Sequence, residues 1–261
     1  LSTAALCESM LGESGRNAEL IEFLHRESEG NPFFIVEVMR ALADEAGNLS
    51  AVAQQRLPAQ ILTGGVRAVL DRRISHVPQW AHPLLELAAV AGRDLDLQML
   101  AHSASATALT SHSLDGWLMH CADMSLLELR EQQWRFTHHK LRECVLARSQ
   151  AAGRLAQLHH EAARAIESAY PAPRRDEHIV KLAHHYLEAG PLFPAEQLYD
   201  AALPAAACQL QQLSFAEAAS LLERVQEVTA SAALEAPRRY ELFLALGEAH
   251  IRAGNRDLGK R

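Results

Sequence analysis

The sequence predicts a mainly α fold interrupted once by a small β-hairpin, and three observations lead there. Apolar residues make up 49% of the chain while aromatics supply only 5%, and Ala and Leu are abundant, a balance that favours packed helices over sheets. Apolar positions recur at helical spacing along most of the chain. The period changes at "SLLELREQQWRFTHH", which reads as two short strands, about 125–130 and 133–137, around a Glu131-Gln132 turn.

In chain order, "NAELIEFLHRES" places Leu20, Ile21 and Leu24 on one helical face. Gly30 suits the left-handed residue that ends this helix. Asn31 can cap the next one, and Pro32 fits a first helical turn, where its missing N–H costs nothing. Residues 32–46 are apolar nearly all round (Phe33, Phe34, Ile35, Val36, Val38, Met39, Leu42), which predicts a buried helix. Gly47-Asn48 ends it, and the polar linker "NLSAVAQQR" follows.

Leu57-Pro58 opens a new unit. Its first helical pattern is weakened at Gly64-Gly65 by roughly 1 kcal/mol per glycine. "PQWAHPLLELAAVAG" stops at Gly92, Asp96 can cap a short helix at 97–102, and residues 112–122 form another. Three helices followed by a hairpin is the order of a winged helix. Beyond residue 150 the pattern is helical to the end. One helix at 151–169 is closed by Tyr170-Pro171, and "VKLAHHYLEAGPLFPAEQLYDAALPAA" follows, with Ala183, Tyr186, Ala189, Gly190, Ala195 and Ala202 at positions where close helix packing needs small or aromatic residues. A similar pattern returns at Leu213–Ala218, and a third begins at 239–257, roughly the 34-residue spacing of tetratricopeptide repeats. The expected division is therefore 1–50, 57–149 and 150–261.

Composition narrows the function. Net charge is −7, and residues 58–148 carry nine Arg/Lys against nine Asp/Glu. That balance lacks the electrostatic footprint of a DNA reader. The four cysteines, Cys7, Cys121, Cys144 and Cys208, stand far apart with no CxxC, which argues against a zinc ribbon or redox pair. Reduced thiols and a cytoplasmic location are the simplest expectation. No apolar run of about 20 residues predicts a membrane span, and no signal peptide is legible. A start at Leu1, already within a helical pattern, reads as a piece of a longer protein.

Catalytic motifs are near misses. "GNRDLGKR" (254–261) fits GxxxxGK, but Arg261 stands where a Mg²⁺-binding hydroxyl belongs, and a helix precedes it instead of a strand. "HEAAR" (160–164) resembles the zinc-protease HExxH with Arg164 in place of the second histidine. The adjacent pairs His138-His139, His159-His160 and His184-His185 point about 100° apart on a helix, so neither ring pair chelates a metal by itself. No metal ligand set is therefore read from spacing, and no GxSxG elbow is present.

Three stretches in order, "EGNPFFIVEVMRAL", "LPAQI" through "LLELAAVAGRDLDLQML", and "WRFTHHKLRECVLARSQAAGRLAQLHHEAARAIE", resemble the signal-transduction ATPases with numerous domains, the STAND class. The nearest likeness is to large ATP-binding regulators of the LuxR type and related ATPase modules carrying tetratricopeptide repeats, and it covers about residues 17–255. The resemblance implies that residues 1–50 are part of a helical lid, whose Gly-x-Pro, here Gly30-Asn31-Pro32, packs on adenine. It implies that the winged helix carries a histidine reaching the β-phosphate of ADP. His138 stands at that place, with Thr137 and His139 where the class has Met and Asp. It further implies ATP/ADP with Mg as cofactor in the parent protein, slow regulatory ATPase activity there and no catalysis by these residues alone. An inducer or partner protein would bind the helical repeats, the parent would oligomerise, and DNA would be met only through an output domain outside this chain. No membrane is implied. The competing expectation is a tetratricopeptide-like protein-binding adaptor with a degenerate nucleotide module.

Overall fold

The structure is a computed structural model. It describes residues 2–28, 30–32, 34–36, 38–40, 67, 70–107, 109, 113–230 and 235–255. The chain is mainly helical with one small antiparallel sheet and divides into two compact units, Leu1–Pro78 and Gln79–Arg261.

The first unit opens with helix α1 (Thr3–Leu11), capped where the Ser2 hydroxyl accepts from the Ala5 N–H at 3.2 Å. A 3₁₀ turn, Gly12–Arg16, folds back against it. The turn passes so close that a Cβ at Gly15 would sit 2.2 Å from the Cys7 carbonyl oxygen. Helix α2 (Ala18–Ser28) starts at Asn17, whose side chain accepts from the N–H groups of Glu19 and Leu20. Thr3 and His25 are hydrogen-bonded at 3.0 Å, tying α1 to α2. Residues 32, 34–36 and 38–40 are helical again. Phe34, Ile35, Val38 and Met39 are buried as expected, together with Leu20, Phe23 and Leu24. The expected continuation of this helix to 46, the linker, Leu57-Pro58 and Gly64-Gly65 lie outside the described residues. Residues 67 and 70–75 are helical, with Leu70 and Ile74 buried.

The second unit begins with α3 (His82–Ala91), which ends at Gly92 with φ +147°. Asp96 caps α4 (Leu97–Ala101) by accepting from the Met99 N–H at 3.0 Å. A short α5 (Ala104–Thr107) and the Ser113-capped α6 (Leu114–Asp123) follow. Strands β1 (Leu127–Arg130) and β2 (Gln133–Phe136) pair antiparallel in the register Leu127↔Phe136 to Arg130↔Gln133. The turn residues Glu131 and Gln132 have φ of 52° and 65°, the conformation a two-residue hairpin requires. Asp94 bridges Arg135, and the Leu95 N–H donates to the Trp134 carbonyl at 2.8 Å. A third, minimal strand therefore flanks the hairpin. Fully buried Trp117 anchors this module, its indole N–H donating to the Ala81 carbonyl at 3.1 Å, and Leu84, Leu85, Phe136 and Leu141 are fully buried too.

Helix α7 (His139–Ala151) leaves the hairpin, and α8 (Leu155–Ala169), α9 (Asp176–Ala189), α10 (Ala195–Gln211), α11 (Phe215–Thr229) and α12 (Ala236–Arg252) form an array in which each helix packs on the next. One boundary and the repeat period differ clearly from expectation. The expected helix at 151–169 begins at Leu155, because the chain turns at Ala152–Arg154 with Gly153 at φ +67°. Helix starts at 155, 176, 195, 215 and 236 make a helix pair recur every 39–41 residues, longer than the expected 34, because the helices run 14–17 residues. Small residues line the helix contacts as expected: Ala162, Ala183, Ala202, Ala218 and Ala249 are fully buried. Hairpin module and repeats share the second unit. Glu161 on α8 accepts from the Ser105 N–H at 2.6 Å, and Arg154 pairs with Glu86 at 2.7 Å. Among the described residues no helix is long and apolar enough to cross a membrane.

Candidate functional site

The four residues read as nucleotide contacts fall in two places, Gly30, Asn31 and Pro32 in the first unit and His138 in the second. At the first place, Gly30 adopts φ +77° after α2, and its N–H donates to the Ser28 hydroxyl at 3.2 Å. The Asn31 carbonyl accepts the first helical bond of the next segment, from the Ile35 N–H at 3.1 Å. Pro32 is the first helical residue and is exposed. Gly30 and Pro32 play the local parts their types predict, and Asn31 stands at the position that precedes the helix. A Cβ at Gly30 would meet the His25 ring at 3.4 Å, so positive φ and close packing both favour glycine here. The ring of Pro32 presents an apolar face beside a helix N-terminus.

His138 sits between β2 and α7 with extended backbone (φ −146°, ψ 143°) and caps α7: its Nδ1 accepts from the Lys140 N–H at 3.2 Å. An accepting Nδ1 places the ring proton on Nε2. Burial first, then the charges of His139, Lys140 and Arg93, hold the His138 pKa down at about 4. The ring is therefore a neutral N–H donor at pH 7, set among cations. Thr137, in the position of the class methionine, is engaged with the hairpin instead, its hydroxyl donating to the Ser125 carbonyl at 2.9 Å. His139, in the position of the class aspartate, is exposed and lies against the His138 ring with centroids 4.3 Å apart.

Two further features were not legible in the sequence. An open groove of about 800 Å³ runs between the hairpin and the α8–α9 corner, lined by Asp94, Asp96, Trp134, Tyr170, Arg174 and Lys181 among others. Tyr170 braces it: its hydroxyl donates to Asp96 Oδ1 at 2.6 Å while its ring stacks on His178 at 3.6 Å. Tyr170-Pro171 was visible only as a helix stop. The second feature is the meeting of His159 on α8 with His184 and His185 on α9. The pair spacing gave no hint of it, since the third ring comes from another helix. His160, by contrast, stacks on Phe193 with ring centroids 4.6 Å apart.

The class of molecule so far defined is a helical protein in which a hairpin-bearing module leads into paired helices. A family model described as a domain of unknown function (DUF8739) matches residues 2–57. No curated protein and no solved structure matches the chain.

Proposed function

We propose that this chain is the regulatory part of a nucleotide-switched signal-transduction protein of the STAND type, a transcriptional regulator, with Gly30-Asn31-Pro32 as an adenine contact and His138 as a donor to the β-phosphate of ADP. The observation that carries the reading is His138: a neutral ring with its proton directed to Nε2, at the start of a 13-residue helix and among Arg93, Lys140 and His139. A helix N-terminus with a fixed N–H donor favours a phosphate oxygen. Exposed Pro32 after a positive-φ glycine supports the adenine contact. ATP and Mg belong to the phosphate cradle of the parent protein, which these residues do not supply. An inducer is read by the helical repeats, and the groove beside Trp134, lined by Asp94, Asp96 and Glu177 as well as Arg174, Arg175 and Lys181, supports a polar one. Binding at two sites then biases one equilibrium.

A second reading, a helical-repeat adaptor, is favoured by one observation. Helix α12 leaves Tyr240, Phe243, Leu244 and Ile251 at least half exposed on its surface, an apolar row of the kind that protein partners cover. The coding sequence upstream of Leu1 separates the two. A GxxxxGK[ST] after a strand pattern within about 250 residues is expected on the switch reading. A start codon directly before Leu1 with no ATPase core would overturn it in favour of the adaptor.

A further inference from the structure

We infer that His159, His184 and His185 form a binding site for a divalent transition-metal ion, zinc or its close analogues, that clamps α8 to α9. The three rings make a nearly equilateral triangle, with centroid separations of 5.6 Å (His159–His184), 5.2 Å (His159–His185) and 5.4 Å (His184–His185). A tetrahedral zinc about 2.05 Å from each nitrogen places imidazole centroids about 5.2 Å apart and the nitrogens about 3.3 Å apart. The triangle has the size that three imidazoles on one zinc require. The donor nitrogens lie within 4.8 Å of one another, and Nδ1 of His159 and Nδ1 of His185 are already 3.0 Å apart. That contact lets one ring donate its Nδ1–H to the other. A metal seated there takes both lone pairs, with each ring's proton on Nε2, and the His184 ring completes the set.

Placement and chemistry agree with the geometry. His185 is buried and His159 half-buried, while His184 opens to solvent on the wall of a groove of about 510 Å³ between α9, α10 and α11. The ion can enter from that side. Glu188 follows His184 by one turn, and its carboxylate acts on both His184 and His159. It is held by Arg224 at 2.7 Å, so it can stand behind a water bound to the ion. Of the nearby cations, Arg224 is engaged with Glu188 and Arg142 with the Ala89 carbonyl at 2.7 Å, while Lys181 also acts on His185. An all-imidazole set selects zinc, cobalt, nickel or copper over magnesium or calcium.

The test is zinc titration of the untagged chain against a chromogenic chelator, with cobalt substitution read by absorption. One zinc per chain, a raised Tm on saturation, and cobalt bands of tetrahedral intensity at about 500–650 nm are expected. His184→Gln and His159→Gln should each weaken zinc by at least about tenfold and remove the bands, while His139→Gln leaves both unchanged. The chain has 14 histidines, so binding that all three variants retain would place zinc elsewhere and overturn the assignment. Absence of zinc binding at about 100 μM would overturn it too. Should a glutamine variant lose helical content, the cobalt spectrum of the unaltered chain decides, and a spectrum of octahedral type contradicts the site.

Discussion

The Nδ1 of His138 caps α7, and that single bond fixes which nitrogen keeps the proton. His138→Ala should lower stability by about 1 kcal/mol through the lost cap, read from urea unfolding midpoints. His138→Asn should keep the cap and restore the midpoint, since asparagine accepts from the same backbone N–H. Titration gives a second prediction at this scale. Burial depresses the pKa of His138 to about 4, of His159 to about 4 and of His185 to about 3. Each resists protonation when folded and accepts it at about 6.5 when unfolded. Their contribution is therefore whole above about pH 6.5 and is lost as pH falls towards 4. Urea midpoints measured with a chelator present should fall across that window. His159→Gln should make the fall shallower; an unchanged profile would show that His159 is not held neutral. These single-residue roles were partly open to sequence reading. Gly30, Asn31 and Pro32 occupy the local positions their types predict, because caps and turns are short-range chemistry. The three-histidine triangle was closed to it, because α8 and α9 bring together residues about 25 positions apart.

Among elements, the hairpin and the 3₁₀ turn carry the sharpest expectations. Glu131 and Gln132 hold positive φ without being glycine, a conformation that costs an ordinary residue roughly 1–2 kcal/mol. Gln132→Gly should raise stability by about 1 kcal/mol, seen as a higher Tm; a lower Tm would mean that the Gln132 side chain contributes more than the turn geometry. Gly15→Ala should act in the opposite direction. Its new Cβ must push against the Cys7 carbonyl, at 2.2 Å in the present packing, and a loss of about 1–3 kcal/mol is expected from overpacking. The hairpin itself was legible because a switch from helical to alternating pattern is strong at Leu127–Phe136. The break at Ala152–Arg154 was not. Its only signal is Gly153, and no proline or capping side chain marks the start of α8, where Arg154 makes no side-chain cap. The repeat period exceeds the expected 34 residues for a related reason. Small residues report close packing but not helix length, and the loops and helices between them run longer than a 34-residue unit allows.

For the whole molecule, the mainly α class with one hairpin followed from composition and period alone, whereas the sharing of one compact unit by hairpin module and repeats rests on contacts distant in sequence. The Ser105–Glu161 bond and the Glu86–Arg154 ion pair are examples. Because that unit has its own core around Trp117, a chain of residues 79–261 should unfold cooperatively and show full helical circular dichroism. Trp117→Ala in it should cost about 3–5 kcal/mol. A non-cooperative melt of the shortened chain would show that Gln79–Arg261 does not stabilise itself. The central claim, that His138 reports a bound nucleotide, is met most directly by calorimetric titration of ADP into the full-length protein and its His138→Asn variant. Asparagine keeps the α7 cap but withdraws the Nε2 donor, so the account predicts affinity about tenfold weaker, the worth of one hydrogen bond to a charged oxygen, at unchanged stability. Equal affinity for ADP in both proteins, or no ADP binding by either, would contradict it.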